Sequence, residues 1–171
     1  MKNVKCRLNQ DAEYLNRNGN DKLECVVKVT FDWGHNSIFY PELSEYYIRE
    51  FADKLDWYSI SRYKILSENF ISEFSAKVDW KEISQNQKLS ENFIREFQDR
   101  VDWLMISRYQ TLSEEFIREF KDRVDWFMIS RYQTLSEEFI IEFKNRVDWY
   151  GILMYQKLSD SFRREFADKL N

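Results

Sequence analysis

The chain reads as an all-α, short helix-turn-helix repeat solenoid, and three observations predict it. A Leu recurs every 23 residues, at Leu43, Leu66, Leu89, Leu112, Leu135 and Leu158, each opening the same kind of text. The unit from Leu89, LSENFIREFQDRVDWLMISRYQT, differs from the one at Leu112, LSEEFIREFKDRVDWFMISRYQT, at three positions. A fixed period of a few tens of residues is the mark of stacked supersecondary units. Second, 3 Gly and 1 Pro give too little turn chemistry for an all-β fold and leave no Gly-rich phosphate loop. Third, apolar residues within a unit fall at helical spacing.

Residues 1–42 depart from the period and form a divergent N-terminal capping region. Two readings of it compete. Asp32-Trp33 is a displaced copy of the Asp-Trp pair found in each of the five full repeats that follow, which favours a degenerate helical repeat. The stretch LECVVKVTF (Leu23 to Phe31) is rich in β-branched residues and follows the turn signal NRNGND, which favours a small β-hairpin with VKCRL near the start. Either covers the open end of a stack, as solenoids need. Residues 43–171 then hold five full tandem repeats and a C-terminal capping helix, DSFRREFADKL.

Each repeat is expected to fold as two short helices. Phe116, Ile117, Phe120 and Val124 lie on one helical face. Ser113 caps the first helix by accepting a backbone N–H, and Glu114 and Glu115 sit in its first turn, where the helix dipole favours negative charge. Leu112 before the cap and Ile117 form a hydrophobic staple. The same grammar repeats at once: Val124 precedes Asp125 as cap, Trp126 opens the second helix, and Ile129 completes the staple. The pairs Asp56-Trp57, Asp79-Trp80, Asp102-Trp103, Asp125-Trp126 and Asp148-Trp149 are therefore read as helix starts and core. On the second helix Trp126, Ile129, Ser130 and Gln133 share the side that faces the stack. Helices of about nine to eleven residues do not stand alone in water, so neighbours must stabilise them. Glu50, Glu73, Glu96, Glu119, Glu142 and Glu165, each followed four residues later by Lys54, Lys77, Arg100, Arg123, Arg146 or Lys169, predict ion pairs along the first helix.

Composition narrows the function classes. At 171 residues, 43% hydrophobic and 18% aromatic, the chain suits one domain with an ample core. The formal charge of −4 comes with Lys and Arg spread along the array and selects no partner by itself. No apolar run reaches membrane-spanning length, and the start MKNVKCRLNQ lacks a signal-peptide core, which predicts a cytoplasmic protein with no membrane partner. Cys6 and Cys25 form no disulfide framework, and with His35 they are too few and wrongly spaced for a zinc site. No cofactor, metal or catalytic residue is assigned.

The unit LSEEFI-REFKDRVDW-xxIS-RYQ resembles the 23-residue Leu-Ser-Glu-Glu-Phe-Ile/Asp-Trp repeats of largely uncharacterised proteins from giant DNA viruses and some phage-like or bacterial genomes. The match spans residues 43–171. The resemblance implies a viral or mobile-element origin and a binding role, with a host effector, such as a defence protein, among the candidate partners. It brings no catalytic motif.

Where the repeats disagree, packing leaves a position free for a ligand. The two residues after each Trp run Tyr58-Ser59, Lys81-Glu82, Leu104-Met105, Phe127-Met128 and Tyr150-Gly151. If outward-facing, Leu104, Met105, Phe127, Met128 and Tyr150 form an apolar strip suited to a protein contact; the competing reading is that they pack onto the next repeat. Ile141 and Met154 replace the Arg of matching positions and extend the apolar character of the fifth repeat. These seven residues are the expected partner-binding set of a non-enzymatic protein-protein interaction module. The rival set is Arg62, Arg108 and Arg131 with Tyr63, Tyr109, Tyr132 and Tyr155, joined by Arg49, Arg95, Arg118 and Arg164 on the first helix, which at a fixed pitch would suit a nucleic-acid strand. The net charge and interspersed carboxylates oppose that reading. A third is self-assembly through the strip, against which a monomer or weak self-association is expected.

Overall fold

The computed structural model describes residues 44–170, except for the side chain of Leu170. The helices pair in chain order: α1 (Glu45–Glu50) with α2 (Trp57–Tyr63), α3 (Glu68–Glu73) with α4 (Trp80–Asn86), and α5 (Glu91–Glu96) with α6 (Trp103–Tyr109). α7 (Glu114–Glu119) with α8 (Trp126–Tyr132) and α9 (Glu137–Glu142) with α10 (Trp149–Tyr155) follow, and α11 (Asp160–Glu165) and α12 (Ala167–Leu170) close the array. The fold is the expected all-α repeat stack, with no strand among the described residues. The β-hairpin expectation, with Cys6, Cys25 and His35, falls outside them.

Both caps form as their residue types demand. The Ser113 hydroxyl accepts the Phe116 N–H, and the Asp125 carboxylate accepts the Met128 N–H. The helices are shorter than expected, six and seven residues. A continuing first helix would hydrogen-bond the Asp125 N–H to the Lys121 carbonyl. Instead the Asp125 N–H donates to Ser107 Oγ of the preceding repeat at 2.9 Å, while the Lys121 carbonyl accepts the Trp126 indole N–H at 2.9 Å and the Arg146 guanidinium of the next repeat at 2.7 Å. Side chains thus satisfy both backbone groups that the break would orphan. The same exchange occurs at Ser75 and Gln98, whose carbonyls each take an indole from their own repeat and an arginine from the next.

Second helices pack directly on one another along the array, α2 on α4, α4 on α6, α6 on α8 and α8 on α10. Ile60, Ile83, Ile106, Ile129 and Ile152 line this contact and are buried, as are Ser61, Ser84, Ser107 and Ser130. Each of these serines donates to its own helix four residues back and accepts the N–H of the next repeat's capping Asp, so the small residue is also a stitch. A second stitch is a column of buried glutamines. Gln110 Nε2 donates to the Ser84 and Gln87 carbonyls at 2.9 and 2.8 Å, and its Oε1 accepts the Leu89 N–H at 3.0 Å. Gln87 and Gln133 repeat the pattern one period away on either side, and Gln156 two periods on.

The first-helix row is tied differently from the sequence-based expectation. Its closing glutamates do not pair four residues along, because the helix ends at the glutamate itself. The four-residue pairs that form join the opening glutamates to arginines, Glu45 with Arg49, Glu91 with Arg95 and Glu114 with Arg118, at 3.7, 3.6 and 3.5 Å. Arg49, Arg95 and Arg118 reach forward to Glu73, Glu119 and Glu142 of the next repeat, each at 2.8 Å, and lie over Phe70, Phe116 and Phe139. The other side of each core Phe meets the Trp of the preceding repeat: Trp103 stacks at 6.3 Å on Phe116 and packs at 4.9 Å on Phe120. Phe70, Phe116 and Phe139 therefore each depend on two repeats at once.

Candidate binding surface

The sequence of a second helix, Trp-x-x-Ile-Ser-x-Tyr, turns Trp, Ile and Ser into the stack and leaves the residue after Trp and the one four later side by side outside. On α6, α8 and α10 these outward pairs are Leu104 with Arg108, Phe127 with Arg131, and Tyr150 with Met154. Leu104 is 40% exposed, Phe127 51%, Tyr150 63% and Met154 57%, values that place an apolar block on solvent rather than in the core. Met105 and Met128 are half-buried, and Ser59, Glu82 and Gly151 at the same register are buried, so that position belongs mainly to the contact between second helices. Ile141 is 41% exposed but lies on α9, in the first-helix row where Arg118 pairs with Glu142 one repeat earlier. The seven residues expected together thus divide into an outward block, two half-buried methionines and one residue of another row.

The arginine row is not a set of equivalent free cations. Arg62 bonds Tyr58 Oη and lies 3.8 Å from Glu82; that tyrosine bond raises its pKa further above the ordinary guanidinium value. Arg108 sits between the Tyr109 and Tyr132 rings, 5.0 Å from each centroid. Arg131 is drawn inward: its guanidinium carbon lies 3.2 Å from the Phe127 centroid, and Nη2 is 3.0 Å from Asp148 in the next repeat. Gly151 makes that position available, since an added Cβ would stand 2.9 Å from Arg131 Cγ and 2.7 Å from Asp148 Oδ2. Asn86 interrupts the row of Tyr63, Tyr109, Tyr132 and Tyr155 and folds back on Glu82, opening a shallow groove beside Lys88 and Tyr109.

The structure also sorts charge that the sequence shows only as interspersed. Every first helix opens on a carboxylate, Glu45, Glu68, Glu91, Glu114, Glu137 or Asp160, and closes on another. The second helices carry a single carboxylate, the buried Glu82, against Arg62, Lys81, Arg108 and Arg131. The loops that leave them add exposed Lys88 and Lys157. The first helices thus carry an excess of carboxylates, with Arg49, Arg95, Arg118, Arg163 and Arg164 among them. The second helices carry an excess of cations and aromatics, offset at their N-terminal ends by the half-buried capping Asp56, Asp79, Asp102, Asp125 and Asp148. This pattern was accessible in the repeat register but hidden in the total charge.

Among the described residues no group of three His, Cys, Asp or Glu is placed to hold a metal ion, and no helix is long and apolar enough to cross a membrane. Fold and surface define the class: a helical-repeat solenoid in which the variable residue directly after each second-helix Trp faces out and the one after it packs against the neighbouring helix. No protein-family model, curated protein or solved structure matches the chain.

Proposed function

We propose that this protein is a non-enzymatic protein-protein interaction module that works in the cytoplasm. The observation that carries the reading is the exposed block Leu104, Phe127, Tyr150 and Met154, held at fixed pitch on a scaffold stitched by buried hydrogen bonds. Large apolar side chains grouped on a rigid surface are the usual anchors of a protein contact. The resemblance of the repeat unit to those of giant viruses and mobile elements supports a viral origin and a host protein, such as a defence effector, as the target.

The test is retention of proteins from a cell lysate on the immobilised chain, with and without nuclease. Wild-type protein should hold defined partners after nuclease, and Leu104→Ser/Phe127→Ser/Tyr150→Ser should lose them by tenfold or more while keeping the wild-type helical circular dichroism. Retention that disappears with nuclease and with Arg108→Glu, and survives the triple serine variant, would replace this reading with nucleic-acid binding.

A further inference from the structure

Resting on the protein-binding reading, we infer that the partner segment is an acidic amphipathic helix laid along the array across α4, α6, α8 and α10. Charge is the first argument. Within the second helices no carboxylate is exposed, and the Asp at each N-cap is half-buried and engaged with a backbone N–H. Exposed cations bracket the apolar block: Lys81 and Lys88 on the side of α4, Lys157 beyond α10, and Arg108, flanked by two tyrosine rings, between. Carboxylates placed at both ends of an apolar segment would meet cations at both ends of this surface.

Pitch is the second argument. Packed helices lie about 8–10 Å apart, so Leu104, Phe127 and Tyr150 present one anchor at roughly that interval. Two turns of an α-helix advance about 10.5 Å, which brings residues seven apart onto one face at nearly the same spacing. An extended strand brings same-face side chains round every 6.6–6.8 Å or so; against a spacing of about 9 Å, the middle of the range for packed helices, it misses by about 2.3 Å per repeat and the helix by about 1.5 Å. From Lys81 to Lys157 the surface covers three intervals, about 24–30 Å, the length of a helix of roughly 16–20 residues.

A nucleic-acid strand meets this surface less well. Of the three arginines in the row, Arg62 and Arg131 already face the carboxylates of Glu82 and Asp148, and the centre of the row is apolar rather than cationic. Phosphates would find Lys81, Lys88 and Lys157 separated by side chains that offer them nothing.

The experiment is selection of random peptides of about 20 residues displayed on phage, using the folded full-length chain as bait. The selected peptides are then measured by fluorescence anisotropy, with fluorescein-labelled oligothymidylate as the nucleic-acid probe. The expected result is enrichment of Asp and Glu around apolar residues seven apart, and helix formation on binding. Affinity should fall tenfold or more with Lys81→Glu/Lys88→Glu, with Phe127→Ser/Tyr150→Ser, and with added salt. Peptides that need Phe127 and Tyr150 but show no acidic bias, or ignore the lysine reversals, overturn the acidic helix and leave the module reading standing. Peptides indifferent to both double variants, or no enrichment at all, overturn it too, the former together with the proposed face. Oligothymidylate bound as tightly as the peptides, or a second copy of the chain bound through the same residues in sedimentation, also overturns it. The lysine pair is exposed, so its variant carries the test should the serine variant fold poorly.

Discussion

Arg-Glu-Phe-Ala-Asp-Lys-Leu occurs twice, at residues 49–55 and 164–170, and the two copies fold differently. The first leaves α1 through a turn that delivers Asp56 to cap α2; the second forms the end of α11 and all of α12. Local propensity is identical, so the difference comes from outside the segment. In the first copy the Trp57 indole holds the Ala52 carbonyl at 2.8 Å, Lys77 of the next repeat binds Asp53, and Arg49 pairs with Glu73. That lysine also holds the Asp53 carboxyl below its ordinary pKa. In the second copy Arg164 turns back to the Asp160 carbonyl of its own helix, and α12 packs against α10. The turn that makes this a two-helix repeat is imposed by the following Trp and the next repeat, which is how a solenoid distributes its stability.

The largest effect should come from cutting the stitches that impose it. Gln110→Leu keeps the volume of the side chain but leaves the Leu89 N–H and the Ser84 and Gln87 carbonyls without their partner in a buried site. At about 1 kcal/mol for each unpaired group, the expected loss is on the order of 3 kcal/mol. Urea denaturation followed by circular dichroism should show a lower midpoint, with a broadened transition as the two halves of the array uncouple. A change below about 1 kcal/mol would mean that the glutamine column only fills space.

Trp57→Phe addresses the comparison itself. It removes the indole N–H from the Ala52 carbonyl but keeps an aromatic ring near Phe70 and Phe74, 6.3 and 5.0 Å from the present Trp. The expected destabilisation is about 1 kcal/mol. More telling is the backbone: carbon chemical shifts of Ala52 and Asp53 should move toward those of Ala167 and Asp168. Unchanged shifts would assign the turn to Lys77 and the next repeat alone.

The same dependence on neighbours explains what the sequence showed and what it did not. Caps were legible because each is local: Ser113 to Phe116 and Asp125 to Met128 span three residues. So was the buried face, since Ile106, Ile129 and Ser130 follow from helical spacing. The end of the first helix was not, because the groups that take over its backbone bonds, Ser107 and Arg146, lie a repeat away on either side. The glutamate row misled for the same reason. Spacing of four suggested pairing of Glu119 with Arg123 along a helix, whereas Glu119 accepts Arg95 across the repeat boundary, 24 residues back, and the four-residue pair that does form is Glu91 with Arg95. Of the candidate surface, the sequence leaves open whether Leu104, Phe127 and Tyr150 face out or pack on the next repeat; in the structure they are exposed, and the inward course of Arg131 requires Gly151 in the next repeat. A period of 23 in fact announces which residues will be neighbours, and reading each position against its copies one period away recovers the segregated charge as well.

The smallest effect separates the two rows. Ile141 occupies the place where Arg118 sits one repeat earlier, and Glu165 stands where Glu142 accepts that arginine. Ile141→Arg should restore this rung, one of two interrupted in the row, the other being at Ser72. Exposed ion pairs contribute little, so the gain should be a rise in Tm of no more than about 2 °C, measured by thermal unfolding and diminishing as salt is added. Its value lies in a second readout. Because Ile141 belongs to the acidic first-helix row and Phe127 and Tyr150 to the basic second-helix row, partner retention by the Ile141→Arg protein should equal that of wild type. Loss of partner with the rung restored would instead place Ile141 inside the contact, carrying the binding surface around from the second helices onto the first.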